Sequence, residues 1–290
     1  MKSVLITGCS SGMGLKTAVT LAHNGFQVFA TVRSLDKRMA LDKALAGAGA
    51  HAEILPLDVT DAAAAEATVA YVVAKAGQID ALVNNAGLAI GGFVEDLSLD
   101  EFRSQMETNF FGAVALTKAA LPHMRKRRAG RIVNISSIGG RAGNPIVAAY
   151  DASKFALEGF SESLAFEAEL FDISVVLIEP GAFKTEIFES NRRVAAQARD
   201  PNSPYAAVMP AIEAKIDEMV TKVAGDPQKV ADCVLHVLTV AKPRLRYLVG
   251  TDAKLMGTVH RFLGFKAYAV LSRHFFGWGG VRAALRTGSP

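Results

Sequence analysis

Residues 4–14 of the chain read VLITGCSSGMG, and this stretch decides the fold class. The short apolar run at its start is typical of a buried strand, and the glycine-rich turn after it leads into a helical pattern. Glycines in such a turn allow positive φ angles and let a phosphate approach the N–H groups at the start of a helix. The stretch therefore predicts a strand–turn–helix unit that binds a phosphate-containing ligand at Gly8, Ser10, Ser11, Gly12, Met13 and Gly14.

The same turn also fits a second catalytic motif. Residues 8–12 match the G-x-S-x-G pattern of a nucleophile elbow, in which Ser10 would be the nucleophile and His260 or His274 the base. The elbow of such hydrolases follows a central strand that has several strands before it, whereas this turn follows the first strand. The position therefore favours phosphate binding over hydrolysis.

Apolar runs alternate with longer helical patterns along the chain. The predicted strands are Val4–Thr7, Val28–Val32, Ala52–Leu57, Ile79–Val83, Arg131–Ile135, Ile173–Ile178 and Arg246–Val249. The predicted helices are Gly14–Asn24, Asp61–Lys75, Asp100–Arg127 and Ala152–Leu170, with N-caps at Asp61 and Asp100 and a further helix opening at Asp226-Pro227. We expect residues 192–204 to be irregular. The strands lack polar alternation, as do strands covered on both faces. The pattern predicts an α/β fold: a doubly wound, seven-stranded parallel sheet of the Rossmann type, flanked by helices, over residues 1–250.

The C-terminal segment, residues 251–290, differs in charge from the rest of the chain. Its only acidic residue is Asp252, against the basic residues Lys254, Arg261, Lys266, Arg273, Arg282 and Arg286. Its apolar runs are interrupted by these charges and never approach the ~20 residues that span a bilayer. Three interpretations of this C-terminal helical extension stay open: a lid or subunit contact, a basic amphipathic helix on a membrane surface, or a plain packed extension.

Composition excludes several classes of protein. The two cysteines, Cys9 and Cys233, cannot form a disulfide framework, and the histidines are not paired at metal-ligand spacing. The net charge of +4 is concentrated in residues 251–290 and does not indicate nucleic-acid binding. The N-terminus lacks the apolar core of a signal peptide. We expect a cytoplasmic protein without a metal, with peripheral membrane contact through residues 251–290 as the alternative.

Tyr150 and Lys154 are four residues apart in a helical pattern, so their side chains emerge on one face of the helix. A phenol with a pKa near ~10 is a poor base at neutral pH, but a neighbouring ammonium favours its ionised form. We therefore expect Lys154 to lower the pKa of Tyr150. Ser137 and Asn85 follow two of the predicted strands, at the carboxyl edge where open α/β sheets bind ligands.

In this order and spacing, the motifs resemble those of the short-chain dehydrogenase/reductase family, and of its hydroxysteroid and retinol dehydrogenase-like subset in particular. The resemblance covers about residues 3–250. It is carried by Thr7-Gly8, Gly12, Gly14, Asp58-Val59, Asn85-Ala86-Gly87, Asn109, Ser137, Tyr150, Lys154 and Pro180-Gly181.

The resemblance implies a role for each residue. Tyr150 would be the general acid/base, Lys154 would lower its pKa and hold the nicotinamide ribose, Ser137 would bind the reacting oxygen, and Asn109 would support a water relay. Contacts to the cofactor are implied for Asp58, Val59, Asn85, Ala86, Gly87, Pro180, Gly181 and Thr185. From the residues alone, Asp58 could equally cap a turn, Asn109 mark a helix kink, and Thr185 cap a helix.

The substrate implied by the resemblance is a hydrophobic ketone, aldehyde or secondary alcohol, steroid-, retinoid- or lipid-like, and the implied assembly is a homodimer or homotetramer. A 3-oxoacyl or sugar-type reductase and a non-catalytic NADP-sensing protein are the alternatives. An NAD-preferring site carries a carboxylate at the end of the second strand, where this chain has Val32 followed by Arg33. A guanidinium suits a 2′-phosphate, and Ser11 can add a hydroxyl, so we predict NADP(H), with NAD(H) as the alternative cofactor.

Overall fold

The predicted seven-stranded parallel sheet is confirmed. A computed structural model describes residues 1–186, 192–222 and 224–287. Among these residues the main sheet has the strand order β3-β2-β1-β4-β6-β7-β9, with every neighbouring pair parallel. The strands are β1 (Ser3–Ile6), β2 (Gln27–Val32), β3 (Ala52–Pro56), β4 (Ala81–Asn84), β6 (Gly130–Ile135), β7 (Ile173–Pro180) and β9 (Arg246–Val249). Two shorter strands, β5 (Ile90–Gly91) and β8 (Arg193–Val194), pair outside this sheet.

Helices cover both faces of the sheet because successive side chains of a strand point to opposite faces. The helices that precede the extension are α1 (Gly12–His23), α2 (Met39–Gly47), α3 (Ala62–Ala76), α4 (Leu99–Met106), α5 (Gly112–Arg127), α6 (Ala148–Glu169), α7 (Met209–Lys222) and α8 (Gln228–Thr239). One apolar core joins α1, α2 and α8 to the face that presents Val4 and Ile6. A second core joins α3, α5 and α6 to the opposite face, which presents Leu5.

Two helix ends follow the prediction and one does not. Asp61 caps α3, since its carboxylate accepts the N–H of Ala64 at 3.0 Å. Asp226 accepts the N–H of Gln228 at 2.9 Å as α8 begins. The predicted N-cap at Asp100 is wrong, because α4 starts one residue earlier and is capped by the hydroxyl of Ser98.

The prediction of a single helix over Asp100–Arg127 is also wrong. A π-helical turn, Glu107–Phe111, separates α4 from α5. Such turns widen a helix by one residue and often occur at functional sites. Here the turn contains Asn109, a side chain that the sequence marks as a candidate for the site.

A third apolar cluster joins segments that follow the carboxyl ends of β4, β6 and β7. It contains the ladder of β5 and β8, so residues 192–204 are not wholly irregular as expected. Phe93 stacks on Tyr205 in this cluster, with ring centroids 3.9 Å apart. Trp278 and Val281 of the extension pack into it as well. The cluster therefore connects the extension to the edge of the sheet at which the candidate residues lie.

The extension forms two helices, α9 (Thr251–Phe275) and α10 (Trp278–Thr287). Gly264, with φ +73°, breaks the helical geometry inside α9. Ala253 and Tyr268 of α9 are fully buried, whereas Phe262 and Phe265, on either side of the break, are 73% and 62% exposed. Within the described ranges of the chain, α9 and the other helices are too short or too polar to cross a bilayer.

Candidate active site

The glycine turn packs closely against the carboxyl end of β4. Gly8 and Gly12 have φ values of +71° and +55°, a region that side chains disfavour. A side chain at Gly14 would collide with the carbonyl of Gly8 and with the amide of Asn85. The Asn85 amide donates to the carbonyls of Thr7 and Gly8, at 2.8 and 3.1 Å. Glycine is therefore required by the geometry of the turn itself.

The start of α1 offers donors to an anion. Ser11 is the N-cap of this helix, but its hydroxyl makes no capping hydrogen bond. The first N–H groups of α1 have no partner within the helix, as in any helix, and they carry the positive end of its dipole. Thr185, from the loop after β7, approaches Gly12, and Ser10 is partly accessible beside it. Met13 instead packs against the first apolar core. This arrangement fits the pyrophosphate of a dinucleotide.

The carboxyl end of β2 carries a positive charge. Val32 is fully buried, whereas Arg33 is exposed and close enough to Asp58 to lower the pKa of that carboxyl slightly. The larger cause of the lowered pKa of Asp58 is the N–H of Thr60, which donates to it at 3.0 Å. Asp58 thus caps a turn, as the simpler interpretation predicts, and remains exposed at the mouth of the site. Val59, next to it, is buried.

The three central candidates come together at the start of α6. The Ser137 hydroxyl, just beyond β6, lies within hydrogen-bonding reach of Tyr150. The Lys154 ammonium lies 5.7 Å from the centre of the Tyr150 ring and donates to the carbonyl of Ile135 at 2.8 Å. Lys154 is only 5% exposed, so its charge is desolvated, whereas Tyr150 is partly accessible. The expected juxtaposition of hydroxyl, phenol and ammonium is present.

The electrostatics of this group differ from the expectation. Burial raises the pKa of Tyr150 to about 12, and the Ser137 hydroxyl only partly opposes this. Burial also lowers the pKa of Lys154 to about 8. The carboxylate of Glu158 partly opposes this shift, because it favours the charged form of Lys154. The chain's own residues therefore raise the pKa of the phenol, whereas the sequence predicted that Lys154 would lower it. Desolvation of the phenol is the largest cause of the raised pKa, and the charge of Asp151 next to it acts in the same direction.

Asn109 connects two loops at the site. Its amide donates to the carbonyl of Leu88 and to the hydroxyl of Ser153, both at 3.0 Å, and its oxygen accepts the N–H of Leu88 at 2.9 Å. Gly87 lies directly against this oxygen. Asn109 therefore marks a helix irregularity, as the residue-based interpretation holds, and its contacts also reach the neighbouring strand end and α6.

The remaining predicted contacts also lie at the carboxyl edge. The N–H of Ala86 donates to the Thr7 hydroxyl at 2.9 Å, which joins β4 to the glycine turn. Pro180 ends β7, and the N–H of Gly181 continues its pairing with the carbonyl of Val249 at 2.9 Å. The predicted site residues therefore lie along the carboxyl edge of the sheet, some exposed and some buried like Asn109 and Lys154, while Met13 packs into the first apolar core.

Four residues at this edge were not found from the sequence: Asn144, Asp151, Asp252 and Tyr268. Asp151 follows Tyr150 directly, but an acidic residue in the first turn of a helix is ordinary. Asp252 accepts the N–H of Ala182 at 2.6 Å, and Tyr268 donates to Asn144 at 2.5 Å. These contacts join the extension to loops 70 and 124 positions earlier in the chain, and no local signal predicts such pairs.

The competing chemistries find no support. Among the described residues no group of three or more His, Cys, Asp or Glu side chains could hold a metal ion. Ser10 has no histidine as a hydrogen-bond partner within these ranges, and the His260 ring packs against Tyr268 at 5.5 Å. The nucleophile elbow is thus not supported.

Comparison with known proteins agrees with this geometry. The family model described as short chain dehydrogenase matches residues 2–196. The chain is 38% identical to the 3-ketodihydrosphingosine reductase of Bacteroides thetaiotaomicron, over 85% of this chain and 87% of that protein. It is 39% identical to human retinol dehydrogenase 8, over 84% of this chain and 80% of that protein.

Solved structures give the same result. A short-chain dehydrogenase from Streptomyces avermitilis superposes with a TM-score of 0.77 at 34% identity, covering 98% of this chain and 97% of that one. A tryptophan variant of actinorhodin polyketide ketoreductase, solved with NADPH, has a TM-score of 0.73 at 31% identity, covering 85% of this chain and 94% of that one. The chain is thus an NAD(P)-dependent oxidoreductase that acts on CH–OH groups, close to the hydroxysteroid and retinol dehydrogenase-like subset. It belongs to the short-chain dehydrogenase/reductase family.

Proposed function

We propose that the protein is an NADP(H)-dependent oxidoreductase that transfers a hydride between nicotinamide and a hydrophobic ketone, aldehyde or secondary alcohol, with Tyr150 as the general acid/base. One observation carries the proposal: the Tyr150 phenol lies beside Ser137 and the buried ammonium of Lys154, at the same sheet edge as the glycine turn. When bound, the nicotinamide supplies or accepts the hydride.

The chain's own residues handle the proton. With a pKa of about 12, Tyr150 keeps its proton at neutral pH and can donate it to a carbonyl oxygen that Ser137 holds by a hydrogen bond. The ammonium of Lys154 would stabilise the phenolate that remains, and it is placed to hold the nicotinamide ribose. Asn109 would support a water that returns a proton toward Lys154.

The cofactor preference is supported by the end of β2. Val32 is buried and neutral, so it offers no carboxylate to a ribose and no repulsion to a 2′-phosphate. Arg33 is exposed there, and Ser11 has a hydroxyl without a capping bond. Asp58 would meet the adenine, and Thr185 the carboxamide. NADPH in a related solved structure supports the same preference, with NAD(H) as the alternative cofactor.

The substrate is proposed to be steroid-, retinoid- or lipid-like. The third apolar cluster, with Phe93, Tyr205 and Trp278, lies where segments from the carboxyl edge meet the extension. The names of the relatives, a 3-ketodihydrosphingosine reductase and a retinol dehydrogenase, agree with a large apolar substrate. A 3-oxoacyl or sugar-type reductase and a non-catalytic NADP sensor are the alternatives.

A panel of ketones tests the proposal. NADPH and NADH oxidation would be measured with 3-ketosphinganine, retinal, a steroid ketone, a 3-oxoacyl thioester and a keto sugar, for the wild type and for Tyr150→Phe. We expect turnover of an apolar ketone with NADPH that Tyr150→Phe abolishes. If the enzyme turned over the keto sugar or the 3-oxoacyl thioester better than the apolar ketones, the proposed substrate class would be wrong. Tight NADPH binding without turnover of any compound would favour the sensor.

A homodimer or homotetramer is proposed to form through α5 and α6. Phe155 and Phe166 of α6 and Leu170 just after it are 46%, 76% and 69% exposed, and Phe111 before α5 is 48% exposed. Apolar side chains gathered on one helix face are typical of protein interfaces. Light scattering should show an oligomer that Phe166→Asp dissociates; a monomeric wild type would contradict this assembly.

The kinked part of the extension is proposed to contact an anionic membrane surface peripherally. Phe262, Leu263 and Phe265 are each more than 60% exposed around the break at Gly264, and Arg261 stacks on Phe262 at 5.5 Å. Apolar and basic side chains together favour anionic lipid.

Co-sedimentation with vesicles tests this contact. Phosphatidylglycerol vesicles should bind the wild type and not Phe262→Ser/Phe265→Ser, whereas phosphatidylcholine vesicles should bind neither. Leu99→Ser removes an equally exposed apolar side chain elsewhere and should bind as the wild type does. Equal sedimentation of the double variant and the wild type would contradict the contact.

A further inference from the structure

A chain of hydrogen bonds links the C-terminal extension to the helix turn that carries Tyr150. The Tyr268 hydroxyl, on α9, donates to the side-chain oxygen of Asn144 at 2.5 Å. The backbone N–H of Asn144 donates to the carboxylate of Asp151 at 2.5 Å, and its side-chain amide donates to the same oxygen at 3.3 Å. Asp151 is the neighbour of Tyr150 in the first turn of α6.

The two ends of this hydrogen-bond chain are buried in the protein, and Asn144 between them is partly buried. Tyr268 is 1% exposed and Asp151 is 4% exposed. The second carboxylate oxygen of Asp151 has no hydrogen-bond partner among the described residues and lies directly against Gly139. A buried carboxylate with one unsatisfied oxygen is costly to the fold, and such groups are often retained for a functional reason.

The middle of the chain belongs to the loop that presents Ser137. This loop, residues 136–147, leads from β6 to α6 and includes the short helical turn Ile138–Gly140. Within the loop, the Ser137 hydroxyl accepts the N–H of Gly139 at 3.1 Å. The bonds from Asn144 to Asp151 join the loop to the turn of α6 that carries Tyr150. α9 also lies over this loop, since Gly257 approaches the side chain of Ile138.

We propose that Tyr268 is a positioning residue for the reaction: through Asn144 and Asp151 it holds the Ser137 loop against the turn of α6, and thereby sets the distance between the two catalytic hydroxyls. The inference rests on the proposed roles of Tyr150 and Ser137. Through Tyr268, the extension would contribute to the geometry of the active site, in addition to any contact it makes with lipid. Tyr268 does not touch the reacting atoms and transfers no proton in this role.

The substitution Tyr268→Phe tests the proposal because it removes the hydroxyl and keeps the ring, which packs against His260. Steady-state kinetics with the best ketone of the panel would be compared with the dissociation constant of NADPH. We expect kcat to fall by about tenfold, since small misplacements of reacting groups have effects of this size or more. The NADPH dissociation constant should stay within about twofold, because the glycine turn lies outside the hydrogen-bond chain. A kcat equal to that of the wild type would overturn the proposal.

Tyr71→Phe is the matched control. Tyr71 lies on α3, is exposed, and also donates its hydroxyl to a carboxylate, that of Glu53. This variant should keep the wild-type kcat. If it lost as much kcat as Tyr268→Phe, the effect would come from general destabilisation and the proposal would fail.

A double-mutant cycle separates positioning from packing. Tyr268→Phe and Asp151→Ala both break one hydrogen-bond chain, so the kcat of the double variant should be close to that of the slower single variant. If the fold-losses of kcat in the two single variants multiplied in the double variant, the two residues would act independently and the proposal would be overturned. If Tyr268→Phe does not fold, Asn144→Ala breaks the same chain from the loop side and must lower kcat with NADPH affinity kept.

The proposed function fails in a different way from this inference. If Tyr150→Phe keeps full turnover, the roles of the two hydroxyls are wrong. If Tyr150→Phe is inactive and Tyr268→Phe is unchanged, the catalytic assignment stands and only the positioning role of Tyr268 is refuted.

Discussion

Asp151→Asn should change how the stability of the protein depends on pH. Asp151 is 4% exposed, and burial raises the pKa of its carboxyl from 3.8 to about 7, although the N–H of Asn144 partly opposes the shift. Asparagine keeps the shape and a carbonyl acceptor for Asn144, but it carries no charge at any pH. The substitution therefore removes the cost of burying the ionised form.

The size and sign of the effect follow from the two pKa values. Because the pKa is higher in the folded chain, folding is favoured most when the carboxyl is protonated, below about pH 4, and stability is lost as the pH rises through about 7. The raised pKa of Asp151 then lowers the free energy of unfolding by about 1.7 kcal/mol at pH 5 and by about 4.3 kcal/mol at pH 8. The free energy of unfolding of Asp151→Asn, relative to that of the wild type, should therefore be about 2.6 kcal/mol higher at pH 8 than at pH 5.

Urea unfolding of both proteins at pH 5 and pH 8 measures this gain. The buried Glu158 and Lys154 also titrate with shifted pKa values, but they do so in both proteins and cancel in the comparison. Asp100→Asn removes a carboxylate whose side chain is 88% exposed and should show no such gain. If the difference between Asp151→Asn and the wild type is the same at both pH values, the burial argument is refuted.

Three further predictions concern the cofactor and the core. Arg33→Ala should lower kcat/KM for NADPH by about tenfold to a hundredfold and leave that for NADH unchanged, since it removes a charge-assisted bond to a 2′-phosphate; equal losses with both cofactors would contradict this. Gly14→Ala should abolish NADPH binding in a fluorescence titration, because its side chain collides inside the turn; normal affinity would show that the turn is not the cofactor site. Arg246→Met should destabilise the fold by about 3–5 kcal/mol in urea unfolding, because the buried carboxylates of Glu158 and Glu179 lose the ion pairs that Arg246 makes with them at 2.6 and 2.9 Å. Among the described residues, only Glu179 keeps a second cationic partner, Arg141. An effect below about 1 kcal/mol would mean that the ion pairs of Arg246 with Glu158 and Glu179 do not stabilise the fold.

The sheet and the cofactor turn could be predicted from the sequence because their signals are local. The main strands are short segments in which Val, Ile, Leu and other apolar residues predominate, and the glycines of the turn are required by the backbone itself. The pair Tyr150 and Lys154 was found because helical spacing places both on one face. Their electrostatics could not be predicted, because desolvation depends on the packing of the whole molecule.

The parts that were missed depend on contacts between distant segments. The N-cap of α4 is an exception: Ser98 and Asp100 are both good N-caps, but Glu101 three residues after Ser98 completes a capping box, a local signal that the prediction of Asp100 overlooked. The ladder of β5 and β8 has two residues in each strand, too few for a period to be recognised. Tyr268 is one aromatic residue in an apolar segment, and its role is visible only once α9 lies over the Ser137 loop.

We propose that the Tyr150 phenol gives the proton that accompanies hydride transfer. The single-turnover rate of NADPH oxidation by Tyr150→Phe, with saturating cofactor and ketone, tests this role against the wild type. We expect unchanged NADPH affinity and a rate that falls by about 10²–10⁴-fold, the usual contribution of a general acid. A Tyr150→Phe enzyme that oxidises NADPH at the wild-type rate would contradict it.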